Sequence, residues 1–189
     1  KWGRNIAKYE YSFSWLGKEV LNSLMDQTPP TDAYNNDVFD LIPNQTLKIL
    51  EIGTGSGSLA AAVKRRNPTT EYIGVEIVPE YVELSQSSCD RVYLDNFEKP
   101  SYKLIGEFSS IDYILMCDVL EHFNDPWSVL EMLYSNIKPG GRIIASIPNV
   151  QHWSIQIRLT QGDWRYAQTG LLDKTHIRFF TRQTILELF

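Results

Sequence analysis

The chain has 189 residues, 43% of them hydrophobic, and a formal net charge of -5. This length is sufficient for one compact domain. The net negative charge argues against a nucleic-acid partner, because binding nucleic acid needs clustered Lys and Arg. No stretch approaches the ~20 consecutive apolar residues of a membrane-spanning helix, and the N-terminal stretch lacks the apolar core of a signal peptide. Cys89 and Cys117 lie in different segments without a CxxC or other metal-ligand spacing, so we predict a cytoplasmic protein with no disulfide framework, no metal site and no nucleic-acid or membrane partner.

The N-terminal part of the chain differs in pattern from the rest. Residues 15–25, WLGKEVLNSLM, have helical periodicity, and residues 26–37, DQTPPTDAYNND, are rich in turn-forming residues. The many aromatic residues among residues 2–13 indicate either a lid or packing against the flank of the domain. We assign residues 1–45 to an N-terminal helical or lid segment with a linker, and residues 46–189 to the main domain.

From residue 47 onward, strand-like and helix-like segments alternate. Predicted strands cover residues 47–52, 71–76, 91–94, 111–118 and 141–148. Predicted helices cover residues 58–67, begin at Pro79, and run from Pro126 to Pro139 and the glycine pair that follows it. This alternation is typical of βαβ units. We therefore predict an α/β fold with a doubly wound, mainly parallel sheet and helices on both faces.

A glycine-rich loop, EIGTGSG at residues 51–57, follows the first predicted strand. It is not a P-loop, because that motif ends in a lysine and a Ser or Thr, whereas Gly57 is followed by Ser58 and Leu59. The GxGxxG spacing of dinucleotide-binding proteins would place the third glycine at position 58, which weakens an NAD interpretation without excluding it. Glu51 would repel a pyrophosphate and attract an ammonium group. The loop therefore favours a ligand with an ammonium group and no phosphate.

The same loop resembles motif I of the class I S-adenosylmethionine-dependent methyltransferases. The resemblance implies that S-adenosyl-L-methionine is the cofactor, with the glycine backbone near its methionine and ribose portions and the acid near its ammonium group. It assigns cofactor binding to Glu51, Gly53, Thr54, Gly55 and Gly57. A turn that merely joins a strand to a helix is the alternative.

Further residues stand where that family places cofactor contacts. Glu76 closes the second predicted strand and matches the acid that takes two ribose hydroxyls, although an acid at this distance also marks NAD-binding proteins. Ile77 would pack beside the adenine. Asp95 matches the acid that accepts from the adenine amino group, with Asn96 and Phe97 alongside. A single Asp in a polar loop is equally consistent with a turn.

Residues 116–149, MCDVLEHFNDPWSVLEMLYSNIKPGGRIIASIPN, resemble the region of motifs II and III in the same superfamily, in the branch with a DVLEH segment. The resemblance places Cys117 and Asp118 beside the cofactor, and Glu121 and His122 on the substrate side. Because open parallel sheets bind ligands outside the carboxyl ends of their strands, we expect these loops to line one crevice.

Residues 170–181, GLLDKTHIRFFT, resemble a subgroup of small-molecule methyltransferases often associated with bacterial surface-sugar or secondary metabolism. The resemblance implies a small-molecule acceptor, which Trp153 and Arg178 would contact, with Arg178 clamping a carboxylate or phosphate. In the alternative interpretation, Asp173, His176 and Arg178 hydrogen-bond one another and only hold this segment in place.

Methyl transfer needs a positioned nucleophile, and it needs a base only when the acceptor arrives protonated. For a hydroxyl or a ring nitrogen, a histidine that titrates near neutrality is suited to this role, so His122, His152 and His176 are the catalytic candidates. Two other functions stay open at this point: an NAD-dependent Rossmann-fold oxidoreductase, and a module that binds a cofactor without turning it over.

The superfamily sheet usually ends in an antiparallel hairpin after the helix that residues 181–189 begin, and the sequence stops at Phe189. We therefore expect this hairpin to be missing, either because the sequence is a piece of a longer chain or because the sheet is shortened. An exposed edge on the fifth strand would favour association, for example as a homodimer.

Overall fold

The structure of the protein, a computed structural model, describes residues 33–189. The helix predicted over residues 15–25 and the aromatic lid predicted over residues 2–13 lie outside the described residues. None of the helices in residues 33–189 has both the length and the apolar character needed to cross a membrane.

A single sheet of five parallel strands forms the centre of the described part of the chain, in the spatial order β3-β2-β1-β4-β5. The strands are β1 (Lys48–Ile52), β2 (Glu71–Glu76), β3 (Arg91–Leu94), β4 (Tyr113–Cys117) and β5 (Arg142–Ser146). All five predicted strands are confirmed, with ends that shift by one or two residues. No antiparallel strand pair occurs within residues 33–189, so the described sheet ends at β5.

Seven helices and one 3-10 turn are present in residues 33–189. The helices are α1 (Asn36–Leu41), α2 (Ser58–Arg66), α3 (Pro79–Ser85), α4 (Tyr102–Phe108), α5 (Pro126–Asn136), α6 (Trp153–Thr160) and α7 (Arg182–Leu188), and the 3-10 turn is Leu120–His122. The predicted helices α2, α3, α5 and α7 are confirmed. Helix α1 begins inside the predicted linker, where the side chain of Asn35 accepts from the Val38 amide and caps the first turn.

The hydrophobic core lies on both faces of the sheet. Because side chains alternate along a strand, Ile49 of β1 packs on one face with α2, whereas Leu50 and Ile52 pack on the other face with α4 and α5. Both faces of the sheet are thus covered by helices, as the doubly wound fold requires.

Helix α1 packs against the same core as β1. The side chains of Val38 and Ile42 are buried there, and Arg66 donates to the carbonyl oxygens of Phe39 and Ile42 while its guanidinium lies 4.0 Å from the centre of the Phe39 ring. Residues 36–42, which the predicted boundary at residue 46 assigns to the N-terminal segment, therefore pack against the core of the sheet.

The order of the strands places a crevice at the carboxyl end of the sheet. Strand β1 lies between β2 and β4, so the chain leaves β1 toward one side of the sheet and later returns to the other side. Ligands of open α/β sheets bind at such a switch point. The glycine-rich loop after β1 and the DVLEH segment after β4 are the two loops that meet there.

Candidate active site

The three glycines after β1 each have a positive φ angle, +73° at Gly53, +55° at Gly55 and +80° at Gly57. A side chain at Gly53 would lie 2.7 Å from Cγ2 of Val119, and a side chain at Gly57 would lie 3.1 Å from Cα of Ser85. At Gly55, in contrast, no atom lies within 4 Å of the position of an added Cβ. Packing therefore explains two of the glycines, and only Gly55 presents bare backbone to open space.

Glu51 lies beneath this loop and is 4% exposed. Its Oε2 accepts a hydrogen bond of 3.0 Å from the Tyr72 hydroxyl. Burial raises the pKa of Glu51 to about 8, the hydrogen bond from Tyr72 opposes this shift, and the charge of Glu76 adds to it. At neutral pH Glu51 is therefore mostly protonated, and a cation placed beside it would favour the carboxylate.

The two cysteines lie on the same face of the sheet as Glu51. Both side chains are partly buried, and burial together with the nearby Glu51 raises the pKa of Cys89 and of Cys117 to about 12. The thiols therefore stay protonated and unreactive at neutral pH. Cys117 ends β4, as predicted, and its surroundings are those of a core residue.

Glu76 closes β2 and ties the glycine loop to that strand. Its Oε2 accepts from the Gly55 amide at 2.9 Å, and its Oε1 accepts from the amides of Ile77 and Val78 at 2.7 and 3.1 Å. A carboxylate has about four acceptor positions, so about one is left for a ligand hydroxyl. The predicted role of binding two ribose hydroxyls would require Glu76 to release one backbone amide.

Two of the predicted cofactor contacts have side chains that serve the fold. The Thr54 hydroxyl donates to the Glu51 carbonyl and accepts from the Val75 amide, both at 3.1 Å, and so joins β1 to β2. The Phe97 ring lies in the core at 5.8 Å from the Phe108 ring. The side chain of Phe97 is therefore part of the core, and its contact with the cofactor stays a prediction.

Three other predicted cofactor contacts lie after β2 and β3. Ile77 is an exposed apolar side chain directly after Glu76. Asp95 accepts from the Ser101 amide at 3.1 Å, and Asn96 accepts from the Glu98 amide at 3.0 Å. The two polar side chains therefore shape the turn before α4, as the alternative interpretation of Asp95 expects, and they lie at the carboxyl end of β3.

Asp118 follows β4 in the left-handed conformation, with a φ of 53°. This conformation costs a non-glycine residue about 1–2 kcal/mol. It is held by two bonds to β5, since the Asp118 amide donates to the Ser146 carbonyl at 3.0 Å and the Ser146 hydroxyl donates to Asp118 Oδ1 at 3.1 Å. Such strain at the end of a strand is typical of a functional site.

Glu121, His122 and His176 form a buried group beside Asp118, which we call the Glu121 cluster. The amides of Ile177 and Arg178 donate to the Glu121 carbonyl at 3.0 Å, and these bonds bring the two distant segments together. Nε2 of His176 lies 3.8 Å from Oε1 of Glu121, and the two imidazole rings are 4.9 Å apart.

The ionisation of the Glu121 cluster reflects its burial. Glu121 is 1% exposed, and burial raises its pKa to about 8, with the charges of Asp118 and Asp173 adding to the effect. Burial also lowers the pKa of His122, and the neighbouring His176 lowers it further. Without a ligand, Glu121 and His122 are therefore mostly uncharged at neutral pH.

His152 and Trp153 lie apart from this cluster. His152 is exposed and caps helix α6, with its Nδ1 accepting from the Ser154 amide at 3.4 Å. Trp153, the first residue of α6, is exposed as well. Of the three histidines proposed for catalysis, the structure brings together His122 and His176.

The guanidinium of Arg178 already has partners within the chain. Its guanidinium donates to the Asn124 carbonyl from both Nε and Nη2, and it lies 5.7 Å from the centre of a Trp127 ring. Asp173 accepts instead from the amide and hydroxyl of Thr175, both at 2.8 Å. Asp173 and Arg178 thus hold their segment, but through these neighbouring groups rather than through each other.

Two residues of the site were not predicted from the sequence. Tyr72 binds Glu51 from the next strand, and Phe179 lies between the Glu121 cluster and the surface, with its ring 6.5 Å from His176 and 5.2 Å from Trp164. The available signal for Tyr72 was its position in a strand next to β1. Phe179 had no comparable signal, because its segment has no regular secondary structure.

Comparisons with known proteins identify the family. Residues 19–189 match the family model described as a methyltransferase domain. The ubiquinone biosynthesis O-methyltransferase of Cereibacter sphaeroides (strain ATCC 17029) is 24% identical over 159 residues, which cover 82% of this chain and 63% of the relative. The ubiquinone biosynthesis O-methyltransferase of Pseudomonas putida (strain KT2440) is 29% identical over 146 residues, covering 76% of this chain and 62% of the relative.

Solved structures show the same fold. The plantazolicin methyltransferase BpumL in complex with S-adenosylhomocysteine superimposes with a TM-score of 0.62 at 19% identity, covering 94% of this chain and 69% of that one. A SAM-dependent methyltransferase from Archaeoglobus fulgidus also has a TM-score of 0.62, at 17% identity, covering 94% and 72%.

The chain spans somewhat less than two thirds of the ubiquinone biosynthesis relatives that it matches. The family match covers most of the 189 residues, and the parallel sheet with its switch point agrees with it. The chain therefore belongs to the methyltransferase-domain family and has the fold of the class I S-adenosylmethionine-dependent methyltransferases.

Proposed function

We propose that the protein binds S-adenosyl-L-methionine at the carboxyl end of β1 and transfers its methyl group to a small-molecule acceptor, such as a sugar or a secondary metabolite. The observation that carries this proposal is the open backbone at Gly55, in the loop that directly follows the strand of the buried Glu51, in a chain of the methyltransferase-domain family. An NAD-dependent oxidoreductase would need a pyrophosphate at this position, beside the Glu76 carboxylate that already accepts from the Gly55 amide.

The residues of the loop fit the chemistry of this cofactor. Glu51 is buried and mostly protonated, so an ammonium group beside it gains an ion pair in a region of low dielectric once the proton leaves. The Gly55 backbone has space for a ligand to approach closely. Glu76 keeps about one acceptor position for a ribose hydroxyl, and the exposed Ile77 offers an apolar surface for the adenine.

In the reaction, the chain holds the acceptor near the methyl group and provides a group that accepts a proton. Bound S-adenosyl-L-methionine supplies a methyl group that its sulfonium charge makes electrophilic. The segments after β4 and around residue 176 hold an acceptor close to that position, which is the main requirement of an in-line displacement. His122 and His176 lie together at this place, and a neutral imidazole there is suited to accept a proton from an acceptor hydroxyl.

Aromatic contacts support a small acceptor. The rings of Trp164 and Tyr166 lie 5.2 and 6.1 Å from the Phe179 ring, which in turn lies 6.5 Å from His176. Tyr166 is 55% exposed, so the series of rings leads from solvent to the Glu121 cluster. Sugars and flat ring systems pack well on such surfaces. The two relatives named above are O-methyltransferases, and this agrees with a hydroxyl as the acceptor atom.

Calorimetric titration with S-adenosylmethionine, S-adenosylhomocysteine and NAD tests the proposal. We expect binding of the first two, and binding of NAD alone would overturn it. Gly55→Val places a side chain in the open space and should weaken S-adenosylhomocysteine binding at least tenfold, about 1.4 kcal/mol. The methyl acceptor is then identified by measuring S-adenosylhomocysteine release when candidate sugars and phenols are added as acceptors.

Gly140→Val is the matched control for Gly55→Val. Gly140 also has a positive φ, +82°, and open space around an added Cβ, but it precedes β5 at the opposite end of the sheet. The two variants should therefore lose similar stability through backbone strain, about 1–2 kcal/mol each. Equal cofactor affinity in the two variants would contradict the assigned site.

A further inference from the structure

We propose that the Glu121 cluster is a binding site for one divalent transition-metal ion. One carboxylate oxygen of Glu121 and one ring nitrogen each of His122 and His176 lie within 4.8 Å of one another. The spacing of these residues in the sequence did not suggest a metal site, because the ligands come from two segments that only the folded chain brings together.

The carboxylate of Glu121 is the main evidence for a missing partner. It is 1% exposed, and neither Oε1 nor Oε2 has a hydrogen-bond partner on another residue. A buried polar group left without a partner costs about 1–3 kcal/mol, and more when it is charged. Apart from Nε of Arg66, the carboxylate oxygens of Glu121 are the only buried side-chain nitrogen or oxygen atoms without a hydrogen-bond partner in residues 33–189. A cation would satisfy both of them.

The hydrogen bonds of the two histidines prepare them as ligands. Nδ1 of His122 lies 3.2 Å from the Thr175 carbonyl, and Nδ1 of His176 lies 3.3 Å from the Leu171 carbonyl. Because a carbonyl oxygen only accepts, these contacts favour the tautomer with the proton on Nδ1, in which Nε2 carries the lone pair that binds a metal. Histidines that bind metals are usually oriented in this way, by a bond from the other ring nitrogen to a carbonyl or carboxylate.

The distances are close to those of a coordination shell. Ligands about 2.1 Å from a tetrahedral ion lie about 3.4 Å from one another. Nε2 of His176 is already 3.8 Å from Oε1 of Glu121, so this edge needs to contract by only a few tenths of an ångström. All three ligand atoms lie within 4.8 Å of one another, so the other edges need to contract by at most about 1.4 Å.

The donor set defines the class of ion. Two imidazole nitrogens and one carboxylate oxygen suit Zn²⁺, Fe²⁺, Mn²⁺ or Co²⁺, whereas Mg²⁺ and Ca²⁺ prefer oxygen ligands alone. The charges of Asp118 and Asp173 act on Glu121 and add to the attraction for a cation. Three protein ligands also leave at least one coordination position open, as in catalytic zinc sites.

An ion at this place would change the role of the histidines. It would bind an acceptor oxygen at its open position and favour loss of the oxygen's proton, so that the imidazoles act as ligands rather than as bases. This consequence rests on the proposed function, whereas the ion site itself does not.

Metal titration of the chelator-treated protein tests the site. We expect one Zn²⁺ or Mn²⁺ per chain by calorimetry, a rise in Tm on addition of either ion, and visible absorption bands on addition of Co²⁺. Glu121→Gln and His176→Gln should each weaken Zn²⁺ binding at least tenfold. His152→Gln, at the exposed histidine outside the cluster, should bind Zn²⁺ as the unaltered chain does.

Folding of each variant is checked by circular dichroism and by its affinity for S-adenosylhomocysteine, which separates failure of the ion site from failure of the cofactor site. Should a variant at buried Glu121 or His176 not fold, His122→Gln replaces it. The proposal is overturned if the unaltered chain binds none of these ions with a stoichiometry of one, or if the cluster variants bind Zn²⁺ as tightly as His152→Gln does.

Discussion

The affinity for S-adenosylhomocysteine should depend on pH through a single buried carboxyl group, Glu51. Burial raises its pKa to about 8, and the ligand's ammonium group binds only to the ionised form. Lowering the pH below 8 therefore protonates Glu51 and weakens binding. Raising the pH toward 8 and beyond ionises Glu51 and should strengthen binding.

The magnitude follows from the ionised fraction of Glu51. With a pKa of about 8, this fraction is about one half at pH 8 and about one hundredth at pH 6. We therefore expect Kd to rise about 50-fold between pH 8 and pH 6.

Calorimetric titrations with S-adenosylhomocysteine at half-unit intervals from pH 6 to pH 9 measure this profile. Glu51→Gln is the matched variant, because it keeps the size of the side chain and its contact with Tyr72 but cannot ionise. It should bind more weakly at pH 8, and its Kd should change less than about 2-fold between pH 6 and pH 7.

The reasoning is refuted if the unaltered chain binds with the same Kd at pH 6 and pH 8. It is refuted equally if Glu51→Gln keeps the loss of affinity on the acid side, because another group would then be responsible.

Two further predictions concern stability. Because the pKa of Glu51 is raised, the folded chain holds a proton that the unfolded chain loses above about pH 4.5, so the free energy of unfolding falls as the pH rises from about 4.5 to 8. Glu51→Gln should remove a component of at most about 5 kcal/mol from that fall. Urea unfolding of the ligand-free protein at pH 5 and pH 8 measures this difference. Thr54→Val removes two buried hydrogen bonds, one to the Glu51 carbonyl and one from the Val75 amide, and should cost about 1–3 kcal/mol in the same assay at about 0.5–1.5 kcal/mol each. Thr160→Val, at an exposed hydroxyl on α6, should stay within about 0.5 kcal/mol, and equal losses in the two variants would contradict the bridging role of Thr54.

Local patterns in the sequence were sufficient for most of the fold. Strand residues alternate or run as short apolar stretches, and Pro79 and Pro126 mark helix starts, because these preferences depend on neighbours along the chain. Helices α1, α4 and α6 were not predicted, because each is short and its stability comes from caps and packing rather than from a long periodic pattern.

The glycine loop shows where the sequence stops being informative. The sequence predicted bare backbone at all three glycines, whereas the structure shows that Val119 and Ser85 occupy the space at Gly53 and Gly57. Only Gly55 faces an opening. Which glycine accommodates a ligand depends on the segments packed around each one, and these come from elsewhere in the chain.

By itself, the sequence determined the order of the elements, the parallel sheet, the glycine-rich loop and the acids at the strand ends. The tertiary structure alone decided that Tyr72 would bind Glu51 and that His176 would lie beside Glu121 and His122. The physical reason is that periodicity and turn chemistry act between near neighbours, whereas these contacts join strands and loops whose proximity is set by the packing of the whole sheet.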